Sequence, residues 1–452
     1  MKRKSIFAYF VLLICLALIL TSCSGLIDRY IGDNEDFADG GDIGSNSTSG
    51  DQSSLSTPTD GENASQPGSA PESGATVPST PPVVNNTVNN ITITGTGGNV
   101  AYAAAQGLRS SVIVSCKFTS ATTYTLGLPQ TYYSYGSGVV YKLDSSGGAF
   151  IITNYHVVHD SSSSTYNKIS DDITVYLYGM ESASYAISAT YVGGSANYDV
   201  AVLRIDESGV LANAVASGGI AAATVGNSDK VAPGQSTIVI GNPSGSGISV
   251  TAGIVSVESE YISMTTADNS GEVSFRVIRT DAPVNSGNSG GGMFNDRGEL
   301  IGIVNAKIVR SDIENIGYAI PSNVARAIAD NIIDYCYLKE CESVMRGLLG
   351  VTVQSTAFTT SYDEETGLLT RSETVSIVGV TEGGLAYGLL LEGDIVKSIT
   401  VSDMTVNITR QYHLIDTMLD VRVGDTVNMV VVRDGAELEL GVVITEDCLV
   451  AY

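Results

Sequence analysis

The amino-acid sequence predicts a mainly β protein from features that recur beyond residue 100. Short apolar runs of strand-like composition repeat there, and stretches rich in Gly, Ser and Asn separate them. One run alternates, with Ile173, Val175 and Leu177 apolar and more polar residues between them, as in a strand with one buried face. Many short strands with frequent turns are typical of an all-β barrel or sandwich.

The composition limits the class of protein and its partners. A chain of 452 residues is long enough for two or three domains with their own cores. It carries 23 basic and 48 acidic residues, a net charge of −25. Nucleic-acid binding usually needs clustered Lys and Arg, so we expect no nucleic-acid partner. Solubility is the simpler explanation of the acidity.

Residues 1–23 have the pattern of a secretion signal. A basic start at residues 2–4 precedes an apolar run from Ile6 to Leu20, which is short for a membrane-spanning helix. The run ends in Leu20-Thr21-Ser22-Cys23, which resembles a bacterial lipobox. That resemblance implies a lipid on Cys23 and attachment to the extracytoplasmic face of the cell membrane. The alternatives are an uncleaved anchor and an ordinary signal peptide.

Residues 24–99 are of low complexity. Ser, Gly, Thr, Asn and Pro dominate, with scattered acids and few large apolar side chains. Such a composition cannot bury enough apolar surface to offset the entropy of ordering the chain. We predict a disordered tether that holds the following domains away from the membrane.

The candidate chemistry centres on the segment Gly287-Asn288-Ser289-Gly290-Gly291. A serine hydroxyl becomes a strong nucleophile when a base takes its proton and backbone N–H groups face the developing oxyanion. Gly287 allows a tight turn in which the N–H groups of Gly287 and Ser289 face one point. The alternative is an ordinary Ser/Gly-rich loop. Two upstream segments decide between them: Thr153 to Val158, which contains His156, and Asn197 to Leu203, which contains Asp199.

The order His, Asp, Ser, with the serine in a GNSGG loop, resembles that of chymotrypsin-like proteases. The wider set of motifs is similar to the HtrA/Deg family, in which such a domain precedes PDZ domains. The further matching segments are Gly136-Ser137-Gly138, Ile240-Gly241-Asn242-Pro243, Thr251-Ala252-Gly253-Ile254-Val255-Ser256 and Gly317-Tyr318-Ala319-Ile320-Pro321. The resemblance implies a chymotrypsin-like double β-barrel protease domain at residues 100–322, a helical connector at 323–344 and a small α+β PDZ domain at 345–447.

The resemblance also implies a role for each site residue. His156 would act as the base, Asp199 would orient it, and Ser289 would attack the peptide carbonyl. The backbone N–H groups of Gly287 and Ser289 would form the oxyanion hole.

The walls of the substrate pocket are expected from the segments around Ser289 and after the next strands. The expected residues are Val284, Asn285, Ser286, Val304, Asn305 and Ala306. None of them is charged, and a buried unpaired charge is costly. We therefore expect cleavage after small or medium apolar residues.

The C-terminal region is similar to the PDZ domain of HtrA proteases. The segment Gly347-Leu348-Leu349-Gly350 resembles the loop that binds a peptide's terminal carboxylate, and the next strand would pair with that peptide. Asp434-Gly435 predicts a tight hairpin turn. The alternative is a small β-rich packing domain without a ligand.

The cysteines leave several pairings open. Cys15 lies in the signal and Cys23 is the lipid candidate. The remaining four are Cys116, Cys336, Cys341 and Cys448, which allow three pairings in an exported protein. No second Cys/His pair completes a zinc site, so we expect no metal and no cofactor.

These observations favour a membrane-tethered extracytoplasmic serine endopeptidase that acts on unfolded or signalling proteins. The family resemblance implies protein quality control, stress response, and a homotrimer. Two alternatives remain: a non-catalytic peptide-binding or chaperone-like lipoprotein on a protease-like scaffold, and a tethered adhesin or sensor whose functional part is residues 24–99.

Overall fold

The computed structural model describes residues 98–120, 130–308, 316–337, 344–364 and 367–451. The predicted signal with Cys23, the predicted tether up to residue 97, and Cys341 lie outside these ranges. Within them, none of the helices combines the length and the apolar character that crossing a bilayer requires.

Six antiparallel strands form a first closed barrel, in the order β1-β2-β3-β6-β5-β4. They are β1 Ser111–Thr119, β2 Thr131–Leu143, β3 Ala149–Thr153, β4 Asp172–Leu177, β5 Ile187–Ser195 and β6 Val200–Ile205. Strand β4 alternates between buried and less buried residues, as its sequence predicts. Strand β6 is buried along its whole length, which explains why its sequence is apolar at every position except the buried Arg204 rather than alternating.

Six further strands form a second closed barrel, in the order β7-β8-β9-β12-β11-β10. They are β7 Ser236–Gly241, β8 Ser249–Thr265, β9 Glu272–Thr280, β10 Gly292–Phe294, β11 Leu300–Val304 and β12 Gly317–Pro321. Each strand has the same neighbours as its counterpart six strands earlier, so the second barrel repeats the connectivity of the first. The expected double β-barrel is confirmed.

One apolar cluster joins the two barrels. Val139 and Val202 from the first barrel pack in the same cluster as Ile240 and Phe294 from the second. A helix that follows the second barrel, at 322–332, also contributes to it. This packing fixes the position of the barrels relative to each other, and the candidate site lies where they meet.

Five α-helices accompany the strands in the described ranges. They are α1 Gly98–Leu108, α2 Tyr155–Val158, α3 Gly209–Ala216, α4 Ser322–Ile332 and α5 Gln411–Thr417. Helix α4 occupies the first part of the predicted connector, and a wider π-helical turn, Ile333–Tyr337, continues it.

A small α+β domain follows, as expected. Its strands are β13 Met345–Gly347, β14 Val351–Asp363, β15 Leu368–Val380, β16 Ile395–Val401, β17 Met404–Asn407, β18 Thr426–Arg433, β19 Ala436–Val443 and β20 Leu449–Ala451. The main sheet has the order β14-β15-β16-β18-β19, so β14 lies at its edge. Asp434 and Gly435 both have positive φ between β18 and β19, which confirms the predicted hairpin turn. Strand β20 pairs with β13, so this domain extends beyond residue 447.

Ion pairs join the α+β domain to the barrels. Arg326 of α4 contacts Asp420 at 2.6 Å, and Arg410 contacts Glu258 of β8 at 3.3 Å. Arg276 of β9 is buried between Asp229 and Asp416, at 3.0 and 2.7 Å.

Candidate active site

His156 lies at the end of the first barrel. It is the second residue of the one-turn helix α2, which follows β3 after the buried Asn154. The buried side chains of Val157 and Val158 anchor this helix in the barrel core. The imidazole Nδ1 is 2.6 Å from Asp199 Oδ2. The structure therefore brings together two residues that are 43 positions apart in sequence.

Asp199 is held from several directions. It precedes β6 with a φ of 53°, in the left-handed region, and its side chain is 1% exposed. Oδ1 accepts a hydrogen bond from the backbone N–H of His156 at 2.9 Å, and Oδ2 accepts one from Asn305 Nδ2 at 2.8 Å. An ionised carboxylate only accepts hydrogen bonds, so His156 Nδ1 carries a proton and Nε2 is the basic nitrogen.

Ser289 comes from the second barrel, in the loop between β9 and β10. Its hydroxyl oxygen accepts a hydrogen bond from the backbone N–H of Ala306 at 3.1 Å. Within the described ranges, no hydrogen bond joins this hydroxyl to His156. His156 thus comes from the first barrel and Ser289 from the second, and the Ser289 hydroxyl has Ala306 as its partner.

Two backbone N–H groups beside Ser289 donate to no described residue. The carbonyl of Ser286 accepts a hydrogen bond from Ser244 N–H at 2.8 Å, and the carbonyl of Asn288 accepts one from Gly291 N–H at 2.9 Å. In a trans peptide the C=O and N–H point in opposite directions. The N–H groups of Gly287 and Ser289 therefore point away from these contacts. Gly287 has a φ of 96°, which favours glycine at that position.

Ser137 fastens this loop to the first barrel. Its hydroxyl donates to the carbonyl of Gly287 at 2.8 Å and accepts from Asn242 N–H at 2.8 Å. Its backbone N–H donates to the carbonyl of Ser289 at 2.8 Å. In the sequence, Ser137 is apparent only as the middle residue of the motif Gly136-Ser137-Gly138. That motif is the sequence feature from which its role in holding the Ser289 loop could have been predicted.

The expected pocket residues lie in four different settings. Val284 and Val304 are buried in the core of the second barrel, whereas Asn285 and Ser286 are exposed beside the Ser289 loop. Ala306 offers its N–H to Ser289. Asn305 was expected in the pocket wall, yet its side chain is fully buried and its amide faces Asp199.

The glycine-containing loop of the α+β domain, like the Ser289 loop, has backbone N–H groups that donate to no described residue. Leu348 N–H donates to Cys448, and the carbonyls of Leu349 and Gly350 accept hydrogen bonds from residues 386 and 381. The N–H groups of Leu349 and Gly350 donate to no described residue. Gly347 packs against Met418 and Val421, which lie after α5.

The described residues contain no group of three or more His, Cys, Asp and Glu side chains that could hold a metal ion. Cys116 and Cys448 are not joined by a disulfide. Burial raises the pKa of the Cys116 thiol to about 12, so it stays protonated at neutral pH.

Comparison with known proteins finds relatives of this chain. The model of the trypsin-like peptidase domain matches residues 136–303. The chain is 34% identical over 316 residues to the serine protease Do-like HtrA of Bacillus subtilis (strain 168), covering 67% of this chain and 62% of that protein. It is 33% identical over 312 residues to the Do-like HtrA of Lactococcus lactis subsp. cremoris (strain MG1363), covering 67% and 68%.

Among solved structures, the chain is similar to the HtrA-type protease AlgW with tripeptide. The two are 27% identical with a TM-score of 0.48, over 78% of this chain and 98% of the other. The match to the Bacillus relative spans less than two thirds of its length, whereas the Lactococcus relative is matched over more than two thirds. On the strength of that second match, the chain belongs to the HtrA family of serine proteases.

Proposed function

We propose that this protein is a serine endopeptidase in which His156, Asp199 and Ser289 act together. The observation that carries the proposal is the pairing of His156 with a buried carboxylate, next to a serine flanked by two backbone N–H groups without a described acceptor. These are the parts that acyl transfer from a peptide requires: a base, a nucleophile and donors for the oxyanion.

The reaction begins with a rotation of the Ser289 side chain. Its hydroxyl leaves Ala306 N–H and turns toward His156 Nε2 by rotation about the Cα–Cβ bond. His156 takes the hydroxyl proton as Oγ bonds to the substrate carbonyl carbon. The N–H groups of Gly287 and Ser289 stabilise the resulting oxyanion.

The second half of the reaction releases both products. The C–N bond breaks as His156 gives its proton to the leaving amine, which leaves an acyl group on Ser289. Water then attacks that ester, with His156 again acting as base and then as acid. Throughout, Asp199 stabilises the imidazolium and keeps its orientation.

The acyl-side pocket is proposed to lie between the segments 284–286 and 304–306. All six side chains are uncharged, and Ala306 lies directly beside the Ser289 hydroxyl. We expect small or medium apolar residues before the cleaved bond. A peptide library tests this, and dominant cleavage after Arg or Lys would contradict it.

The α+β domain is proposed to act as a PDZ domain that binds peptide C-termini. The N–H groups of Leu349 and Gly350 would hold the carboxylate, within the loop Gly347-Leu348-Leu349-Gly350. Strand β14 has an unpaired edge in the described sheet, where a peptide can add as a further strand. Titration with C-terminal peptides and with their amidated forms tests this, because amidation removes the terminal charge.

The protein is further proposed to act outside the cytoplasm, anchored by a lipid on Cys23 and tethered by residues 24–99. Two relatives, from Pseudomonas fulva and Rickettsia conorii, are described as probable periplasmic serine endoproteases. Unfolded proteins in quality control and stress response are the proposed substrates, and a homotrimer is the proposed assembly. Metabolic labelling with a fatty-acid analogue, lost in Cys23→Ala, tests the anchor.

Degradation of unfolded casein tests the catalytic proposal. Wild type is compared with Ser289→Ala and with Ser246→Ala, which removes an exposed serine hydroxyl from a nearby turn. We expect Ser289→Ala alone to abolish turnover. Equal turnover in all three would leave a non-catalytic peptide-binding role as the better account.

A further inference from the structure

Two exposed tyrosines stand on one face of strand β2. Tyr133 and Tyr135 are 57% and 49% exposed, and their rings are nearly parallel with centroids 6.5 Å apart. Tyr132, the residue before Tyr133, stacks on Phe118 on the other face. Tyr132 therefore packs on the core of the first barrel, whereas the aromatic pair Tyr133/Tyr135 lies on the exposed face of the strand.

The aromatic pair borders the Ser289 loop. Tyr135 precedes Gly136, where a Cβ would lie 3.2 Å from the carbonyl oxygen of Ser289. The ring of Tyr135 also lies against Gly245, in the turn whose Ser244 N–H holds the carbonyl of Ser286. The Ser289 hydroxyl contacts Ala306 whereas the Ser289 carbonyl contacts β2, so the aromatic pair lies next to the carbonyl of Ser289 rather than next to Ala306.

Along the same segment, one edge of β2 has no partner strand among the described residues. Strand β1 pairs with residues 131–139, while β3 begins to pair only at Val139. Val140 N–H points toward Ser110 beside β1, whereas Ser137 N–H points away from β1, toward Ser289. Backbone groups alternate along a strand, so those of Tyr133 and Tyr135 face the edge that no described strand occupies.

The charged group next to the two rings, the Lys117 ammonium, already has an acidic partner. Lys117 is opposite Tyr133 in the β1–β2 register, and its ammonium is paired with Asp172 at 3.1 Å. The surface around Tyr133 and Tyr135 therefore presents two aromatic rings and a strand edge that no described strand occupies.

We propose that Tyr133 and Tyr135 bind the substrate residues that follow the cleaved bond, and that they select aromatic or large apolar side chains there. This inference rests on the proposed endopeptidase function. An extended peptide would pair with the free edge of β2, and alternate side chains would stack on the rings. The occupant is the leaving-group half of the substrate because the other half is assigned to the pocket beside Ala306.

Two substrates with the same acyl-side sequence test this. One is a quenched peptide that continues four residues past the cleaved bond, with Phe or Gly at the second of them. The other is a p-nitroanilide, which has no residues on that side. The variants are the double Tyr133→Ala/Tyr135→Ala, the double Tyr133→Phe/Tyr135→Phe, and a control, Tyr178→Ala/Tyr185→Ala, which removes two comparably exposed tyrosines elsewhere on the first barrel.

We expect the Tyr133→Ala/Tyr135→Ala variant to lose about five- to tenfold in kcat/KM on the Phe peptide, as two aromatic contacts would give. Its anilide cleavage and the Phe-substituted and control variants should stay within about twofold of wild type. Equal losses on peptide and anilide would indicate a structural role and overturn the inference. So would an unchanged preference for Phe over Gly. A wild type that cleaves neither substrate would overturn the proposed function as well.

Discussion

Two aspartates, Asp199 and Asp416, with side chains 1% and 13% exposed, differ in how their charges are satisfied. Asp199 accepts hydrogen bonds from the backbone and imidazole of His156 and from the amide of Asn305. Asp416, on α5, lies 2.7 Å from Arg276 Nη2, which also donates to Asp229, and Asp416 Oδ2 has no hydrogen-bond donor among the described residues. Burial, with Asp229 nearby, raises the pKa of Asp416 to about 6.

The difference lies in the neutral hydrogen-bond donors, because the more deeply buried carboxylate, Asp199, is the better satisfied of the two. An ion pair repays desolvation only when further hydrogen bonds satisfy both partners. Arg276 Nε and Nη1 find no acceptor among the described residues, although the guanidinium stacks on Tyr412 at 3.9 Å. Asp199 is therefore held in one orientation by its hydrogen bonds, whereas Asp416 can titrate near neutral pH.

The largest expected effect comes from replacing the well-satisfied carboxylate. Asp199→Asn keeps the shape but presents an amide to His156 Nδ1, which favours the wrong imidazole tautomer. We expect kcat to fall about 10³–10⁴-fold with little change in KM, measured on a short peptide at pH 7. Asp206→Asn, at an exposed carboxylate after β6, should keep kcat within about twofold. Similar losses in both variants would mean that Asp199 has no special role.

The second effect concerns the stability of the other region. Arg276→Leu leaves Asp229 and Asp416 close together without their cation. Breaking a buried pair in this way costs about 3 kcal/mol in the free energy of unfolding, measured by urea denaturation. Arg279→Leu is the matched control, because its partner Glu260 is 3.5 Å away and the pair is about one-third exposed. It should cost less than about 1 kcal/mol. If the two variants unfold alike, the contact of Arg276 with the two aspartates adds nothing.

A third variant tests the contribution of the Asn305 amide, a neutral hydrogen-bond donor of a kind that Asp416 lacks. Asn305→Ala removes the amide donor from Asp199 Oδ2 and leaves the carboxylate less firmly held. We expect about a tenfold loss of kcat, in line with one hydrogen bond to a charged group. Asn305→Ser, which can still donate, should recover part of that loss. A change in KM alone would instead support the role in the substrate pocket that the sequence suggested.

The fold could be predicted further than the site. Alternation in β4, the Asp434-Gly435 turn and the run of short strands are local patterns, and each is found in the structure. His156 and Asp199 lie in recognisable segments, so their meeting could be anticipated from the family resemblance. Their supports could not, because local pattern does not reveal the contact of Asn305 with a residue 106 positions away.

The interface between the α+β domain and the second barrel could not be predicted from the sequence for a related reason. Arg276 lies in strand β9 between two apolar residues, and Asp416 lies on a seven-residue helix. Either charge alone indicates a solvated surface position. Only the packing of one domain on the other buries them together, and that packing depends on shape rather than on composition.

The smallest expected effect is a pH dependence of stability that comes from Asp416. Between pH 4 and 6 the folded protein binds more protons at this group than the unfolded chain, so its contribution to stability falls as pH rises. From pH 5 to 7 the loss is about 1 kcal/mol for a folded pKa near 6. His413 acts in the opposite direction because burial lowers its pKa, so only a comparison of variants isolates Asp416. Urea denaturation of wild type and Asp416→Asn at both pH values gives that comparison. The variant should gain about 1 kcal/mol relative to wild type on going from pH 5 to 7. Parallel changes in the two proteins would mean that Asp416 does not titrate in this range, and the contrast with Asp199 would then be one of geometry alone.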